Sequence, residues 1–176
     1  IYDSEIAMRW TGAEISDEFF AFFKINRAKD FSEFSSAVSA FKVPGQNFVY
    51  ADYKGNIGYL CGAGIPIRGS DDPRLVLDGT TKATMWKGFI PFQDLPKQYN
   101  PQQGFIATAN SKPAETNFYI SSLWESSSRI ERITELLKYK EKHGTKDVFS
   151  YQQDRISPYA RRMTPLILAA FKDLTI

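Results

Sequence analysis

A chain of 176 residues with a formal net charge of +2 is long enough to bury a sizeable core and is expected to form one domain. Acids and bases are interspersed, which excludes the charge bias of a nucleic-acid or anionic-membrane binder, and no apolar run is long enough to cross a bilayer. The single cysteine, Cys61, excludes an internal disulfide, and one Cys with one His, His143, cannot make a typical zinc site.

Residues 15–41 read as helical. Ser16 or Asp17 can cap a first helix with Phe19, Phe22, Phe23 and Asn26 on one side. Asp30-Phe31-Ser32-Glu33 has the spacing of a capping box and opens a second helix carrying Phe34, Val38 and Phe41. Barely a turn separates the two, so an antiparallel pair with a scaffolding role is expected.

Residues 46–110 read as strand and loop. Phe48 to Tyr53 and Ile57 to Ala63 flank Lys54-Gly55-Asn56, a strong hairpin signal that also accounts for Gly55 and Gly58. Cys61 lies in an apolar strand and reads as a buried, inert thiol. Pro66, Pro73, Pro91, Pro96 and Pro101 then pin an irregular path, with Trp86 and Phe89 anchoring it to the core. Gly62, Gly64 and Gly69 lack phosphate-loop spacing. Asp71, Asp72 and Asp78 are read as a solvated acidic loop rather than a calcium loop, because no run has the ligand spacing.

Asn100-Pro101 and Gly104 form a turn before Phe105-Ile106-Ala107-Thr108-Ala109, an apolar run read as a short buried strand that ends at Asn110. Two readings of Asn110 stand at this point. It can cap a turn, or its NH2 group can serve as a neutral donor to a developing oxyanion.

Residues 126–174 read as helical again. Ser126, Ser127 or Ser128 caps a helix with Ile130, Ile133, Leu136 and Leu137 on one face, which Gly144 stops. Arg129 opens that helix, where the dipole disfavours a cation, so another group is expected to hold it. His143, in a Lys-rich helix end, reads as solvent-exposed. Thr145 opens a further helix, and Pro165 is placed in the first turn of a last helix reaching Leu174. The single His and the absence of a Gly-x-Ser-x-Gly elbow exclude a Ser/His/Asp hydrolase. The abundant aromatic residues, fourteen Phe, nine Tyr and three Trp, suit core packing first and the walls of an acyl pocket second.

Tyr50-Ala51-Asp52-Tyr53-Lys54-Gly55-Asn56-Ile57-Gly58-Tyr59, Gly64-Ile65-Pro66-Ile67-Arg68, Trp86-Lys87-Gly88-Phe89-Ile90-Pro91-Phe92, the segment from Asn100 to Asn110, and Leu123-Trp124 followed by Ser128-Arg129-Ile130-Glu131-Arg132-Ile133 occur in this order. Together these blocks resemble the penicillin acylase family of N-terminal-nucleophile amidohydrolases, over nearly the whole chain. The resemblance implies an α+β fold, an antiparallel β region flanked by helices within an αββα sandwich. It also implies that the chain is an internal piece of a larger β subunit.

By that resemblance Asn110 is the oxyanion Asn and Arg129 the active-site Arg, with Phe105 and Ala109 beside the acyl group. The nucleophile would be a Ser at a self-cleaved N-terminus, with its own α-amino group as base. Ile1-Tyr2-Asp3-Ser4 does not match that block, so the nucleophile and the rest of the amidase, its α subunit included, are expected outside this chain, which alone would be inactive. No cofactor is needed for the chemistry. The family's structural calcium would take the backbone carbonyl of Pro73, but residues 117–122 lack the acidic ligand it needs. The resemblance further implies a small-molecule acyl amide as substrate, a β-lactam side chain or an acyl-homoserine lactone, and a periplasmic or extracellular location. Uncovered strand edges and helix faces imply self-association of the isolated chain. The competing expectation is a noncatalytic binding or assembly module built on the aromatic-rich β region.

Overall fold

Two aspartates start the two N-terminal helices. In the computed structural model, which describes residues 5–69 and 74–172, α1 spans Glu18–Ile25 and α2 spans Phe31–Val38. Asp17 accepts a hydrogen bond from the Phe20 N–H at 3.0 Å, and Asp30 accepts one from Glu33 at 2.8 Å. Each satisfies a donor that a helix start leaves without an intrahelical partner. Glu33 reaches back to the Lys29 N–H at 2.9 Å, one residue earlier than a strict capping box. Glu18 accepts from the backbone of both Lys42 and Val43, tying α1 to the chain beyond α2.

The expected aromatic face of α1 is only partly buried. Phe22 packs edge-on against Phe41 with ring centroids 5.5 Å apart, whereas Phe19 is 93% exposed and Ala21 is the fully buried residue. Periodicity placed Phe19 on the inner side, but the small Ala21 allows the helix its close approach.

Strands β1 (Gln46–Ala51), β2 (Ile57–Gly62) and β3 (Lys97–Tyr99) form an antiparallel sheet in that order. The register pairs Gln46 with Gly62 and Ala51 with Ile57. Strand alternation separates two clusters. Leu60 packs with Phe34, Val38 and Tyr50, while Tyr59 and Cys61 pack with Ile65 and Leu95. Cys61 is buried, and burial pushes its thiol pKa up. Gly58 and Gly62 flank Leu60 on the same face, where an added Cβ would strike the Phe31 ring at Gly58 and the Phe48 ring at Gly62. Close ring approach therefore explains Gly58, while Gly55, at φ 86°, is the residue the turn requires.

Asp52 organises that turn. Its carboxylate accepts from the Lys54 and Asn56 N–H groups at 2.8 and 3.0 Å, the Asn56 side chain at 2.8 Å and the Tyr50 hydroxyl at 3.0 Å. Asn100 then extends β3: its N–H donates to the Ile57 carbonyl, its side-chain oxygen accepts from the Ile57 N–H, and its NH2 donates to Asn56.

Backbone pairing of Ile65 and Ile67 with Lys87, Gly88 and Ile90 closes the proline-rich excursion, with Trp86 edge-on to Phe89 at 6.2 Å. These elements make up one compact unit, Ile1–Ile106 with Pro113–Ser122.

The second compact unit is Ala107–Lys112 with Leu123–Ile176. It holds α3 (Ser127–Lys138), α4 (Thr145–Gln152) and α5 (Pro158–Ala170). Helix α3 ends at Lys138, before Gly144, which instead precedes α4 and donates its N–H to Asp147 at 2.7 Å. His143 is not a free surface residue. Its ring lies 2.9 Å from the Tyr151 hydroxyl through Nδ1 and 3.0 Å from the Leu137 carbonyl through Nε2, bridging the end of α3 to α4. The carbonyl can only accept, so Nε2 carries hydrogen.

Pro158, not Pro165, occupies the first turn of α5, behind the Ser157 cap. Pro165 lies inside the helix. Leu174 and Pro73 fall outside the described residues. The fold is thus mixed, helices plus an antiparallel sheet. A complete αββα sandwich is not seen among the described residues, and residues 105–109 form no strand.

Asn56 hydrogen bonding above all holds the Asp52 carboxyl down, to about 2. An unfolded Asp titrates near about 3.9. The resulting stabilisation is complete above that value and is lost as pH falls through about 2. Asp52→Asn should therefore lower neutral-pH stability and flatten the acid limb of a urea-denaturation profile. An unchanged acid limb would refute this role.

Candidate active site

The segment that ends at Asn110 is irregular and has no ladder partner among the described residues. The apolar run was expected as a buried strand. Partial burial of Phe105 to Thr108 is present; the pairing strand is not, among the described residues. Phe105, in the first compact unit, is half-buried, and its carbonyl accepts from the Gln103 side chain at 2.9 Å. Ala109, in the second, is 3% exposed, so the residue next to Asn110 is anchored.

Asn110 is exposed and takes φ 59°, in the left-handed region that Asn tolerates better than most side chains. Two contacts hold it. Its backbone carbonyl accepts from the Glu125 N–H at 3.1 Å, and its side-chain oxygen accepts from Arg129 Nη1 at 3.0 Å. A guanidinium has only donors, so the carboxamide must present its oxygen to Arg129 and point its NH2 away. The ambiguity between amide oxygen and nitrogen is thereby resolved by chemistry.

Arg129 sits in the first turn of α3, behind Ser126, whose hydroxyl makes no capping bond. The group expected to hold this cation is the neutral carboxamide of Asn110, rather than an anion. Sequence reasoning did not find the charged framework behind it. Arg132 forms a two-pronged pair with Asp154, at 2.9 and 2.7 Å, and Arg161 and Arg162 reach from α5 to Glu135 and Glu131. Arg132 above all holds the Asp154 carboxyl below its usual range. Only the helical spacing of Arg129 and Arg132 was available as a signal; the pairing to Asp154, 22 residues on, was not.

Among the described residues, no group of three or more His, Cys, Asp or Glu side chains could hold a metal, and no helix is long and apolar enough to cross a membrane.

The penicillin amidase family model matches residues 1–175. The chain belongs to the penicillin amidase family. It is 34% identical to penicillin G acylase of Escherichia coli over 174 residues, covering 94% of this chain and 20% of that protein. An acyl-homoserine lactone acylase, QuiP of Pseudomonas fluorescens strain Pf0-1, is 28% identical over 151 residues, covering 85% of this chain and 18% of its own length. Among solved structures, a thermostable penicillin G acylase from Alcaligenes faecalis aligns with a TM-score of 0.69 and 27% identity, over 78% of this chain and 25% of that one. The chain thus spans about a fifth of the length of the curated relatives it matches. The family is one of amidohydrolases.

The left-handed backbone at Asn110 gives a testable consequence. Asn110→Ala should be less stable than Asn110→Gly by about 1 kcal/mol, because alanine adds a Cβ where glycine is unstrained. Denaturant midpoints of the two variants measure it, and equal midpoints would show that the backbone at 110 is not constrained.

Proposed function

We propose that this chain supplies the oxyanion-stabilising part of a penicillin-acylase-type amidohydrolase, with Asn110 as donor and Arg129 as the residue that orients it. The observation that carries this reading is the 3.0 Å bond from Arg129 to the Asn110 oxygen, which leaves the NH2 facing away from the guanidinium. A neutral NH2 aimed at a carbonyl stabilises charge that appears only as the tetrahedral intermediate forms. It does not compete for the nucleophile's proton.

In the full reaction, a terminal Ser hydroxyl outside this chain attacks the acyl carbon. Its α-amino group, with an ordinary pKa of about 7.7–8.0, accepts the hydroxyl proton and returns it to the leaving amine as the C–N bond breaks. Water then releases the acid from the acyl-enzyme. Asn110 serves both tetrahedral intermediates, and Ala109 and Phe105 contribute to the acyl surroundings.

The substrates that suit this reading are amides of the kinds named for the relatives, a β-lactam side chain or an acyl-homoserine lactone. The partners are the α subunit and the nucleophile-bearing part of the β subunit, in a periplasmic or extracellular setting. No cofactor enters the chemistry. A Pro73 carbonyl on a structural calcium belongs to the same reading, with Pro73 outside the described residues.

In the full-length protein, Asn110→Ala should lower kcat by roughly 10²–10³-fold with KM changed far less, since the donor acts chiefly on the transition state. Hydrolysis of a chromogenic phenylacetyl or acyl-homoserine-lactone amide reads this out. Unchanged kcat would remove Asn110 from the chemistry, and no activity in the wild type would favour the binding-module alternative.

A further inference from the structure

Helix α3 is held in place by one inner ion pair and two outer ones. Arg132 lies one turn beyond Arg129, and its Nε and Nη2 donate to the two oxygens of Asp154 at 2.9 and 2.7 Å. The third nitrogen, Nη1, donates to Glu135 at 2.9 Å. The side chains of Arg132 and Asp154 are 19% and 16% exposed, whereas Glu135, Arg161, Glu131 and Arg162 range from 35% to 55%. Shielding and two-pronged geometry make the inner pair the one whose loss the helix feels most, while exposed pairs contribute little.

Asp154 is itself fixed. Its Oδ1 also accepts from the Ile156 N–H at 3.1 Å, and its own N–H donates to the Tyr151 carbonyl. The turn between α4 and α5 therefore presents a rigid carboxylate to the side of α3. Removing it leaves a half-shielded guanidinium without its main acceptor, which drives Arg132 toward water and α3 with it. The first turn of α3 carries Arg129, and the segment just before it carries Glu125. Both contacts of Asn110 therefore depend on where this helix sits.

We propose that Asp154 is a positioning residue for the Asn110–Arg129 pair, acting through Arg132. This rests on the reading of Asn110 as oxyanion donor. Asp154 touches no substrate; it sets the direction in which the Asn110 amide points. A displacement of about 1 Å in a catalytic group is enough to cost up to roughly a hundredfold in rate.

The test is a double-mutant cycle in the full-length protein, with Asp154→Asn, Asn110→Ala and the pair, alongside Glu131→Gln as a control on an outer ion pair. Asp154→Asn is expected to lower kcat at least about tenfold with KM within about twofold. Most of that loss should vanish in the Asn110→Ala background, because there is no longer an amide to aim. Glu131→Gln should leave kcat unchanged. An undiminished loss in the Asn110→Ala background, or no loss in wild type, overturns the proposal.

A separate readout keeps the two readings distinguishable. Backbone amide exchange at Ile130 to Ile133 should quicken in Asp154→Asn but not in Glu131→Gln. If Asn110→Ala leaves turnover intact, the oxyanion reading falls, and exchange alone decides whether Asp154 fixes the helix; unchanged exchange refutes it. Should Asp154→Asn fail to fold, Arg132→Lys keeps the charge, loses the fork, and carries the same cycle.

Discussion

A guanidinium can only donate hydrogen bonds, and that limitation governs the arrangement at Asn110. Because Arg129 reaches the carboxamide at 3.0 Å, the oxygen must turn toward it and the NH2 must turn away. A histidine or serine in place of Arg129 could donate or accept, and the amide would lose its fixed sense. The backbone is constrained with equal economy. The Asn110 carbonyl is taken by the Glu125 N–H, which keeps the left-handed conformation at φ 59° in place. A neutral amide has no pKa for its surroundings to tune. The surrounding charges therefore affect Asn110 chiefly through where they place α3 and how Arg129 polarises the amide.

The sheet shows a different kind of constraint, set by what is missing. Gly58 and Gly62 leave the face of β2 bare on either side of Leu60, and the rings of Phe31 and Phe48 lie where side chains would have been. Leu60 is 1% exposed as a result, in contact with Phe34, Val38 and Tyr50. A glycine in a strand weakens the backbone, but here aromatic packing occupies the space it leaves. The polar counterpart lies at the hairpin end. Asp52, Asn56 and Asn100 form a chain of hydrogen bonds that links the β1–β2 turn to the end of β3.

Features encoded within a few residues were legible in the sequence. The Asp17 and Asp30 caps, the hairpin around Gly55, and the start of α4 at Thr145 all depend on neighbours four residues away or fewer. Misreadings arose where a distant group decided the outcome. His143 looked exposed because its Lys-rich surroundings are polar, yet Tyr151 and Leu137 hold both ring nitrogens. Pro165 looked like a helix start, but Ser157 and Pro158 provide a better one seven residues earlier, and the helix runs through the second proline. Residues 105–109 have a strand's apolar character without a paired strand, since a sheet needs a partner that local pattern does not specify. That Asn110 and Arg129 belong to one site was expected only through family resemblance, and their direct contact was not read from the sequence. Nothing in the spacing of 19 residues required it.

The start of α3 departs from the usual electrostatic pattern in a way that bears on the site. Helix N-termini favour acids, yet the first turn of α3 contains none and carries Arg129 instead. Glu125 stands just before the helix, where its carboxylate accepts from the Ser126 N–H at 3.3 Å, and Glu131 is occupied by Arg162. Arg129 meets the dipole of a neutral amide, and that contact does not cancel its charge. The Arg129 cation and the positive end of the helix dipole have the same sign and therefore add. Glu125 answers the helix end in part, whereas no ion pair to Arg129 is seen among the described residues. On the proposed reading of Asn110 as oxyanion donor, the cation and the helix end would both be relieved as negative charge develops near its NH2. An arrangement that is unfavourable without an anion and relieved by one is the electrostatic signature of differential binding. It gives the placement of Arg129, against local preference, a physical reason that capping rules alone do not supply.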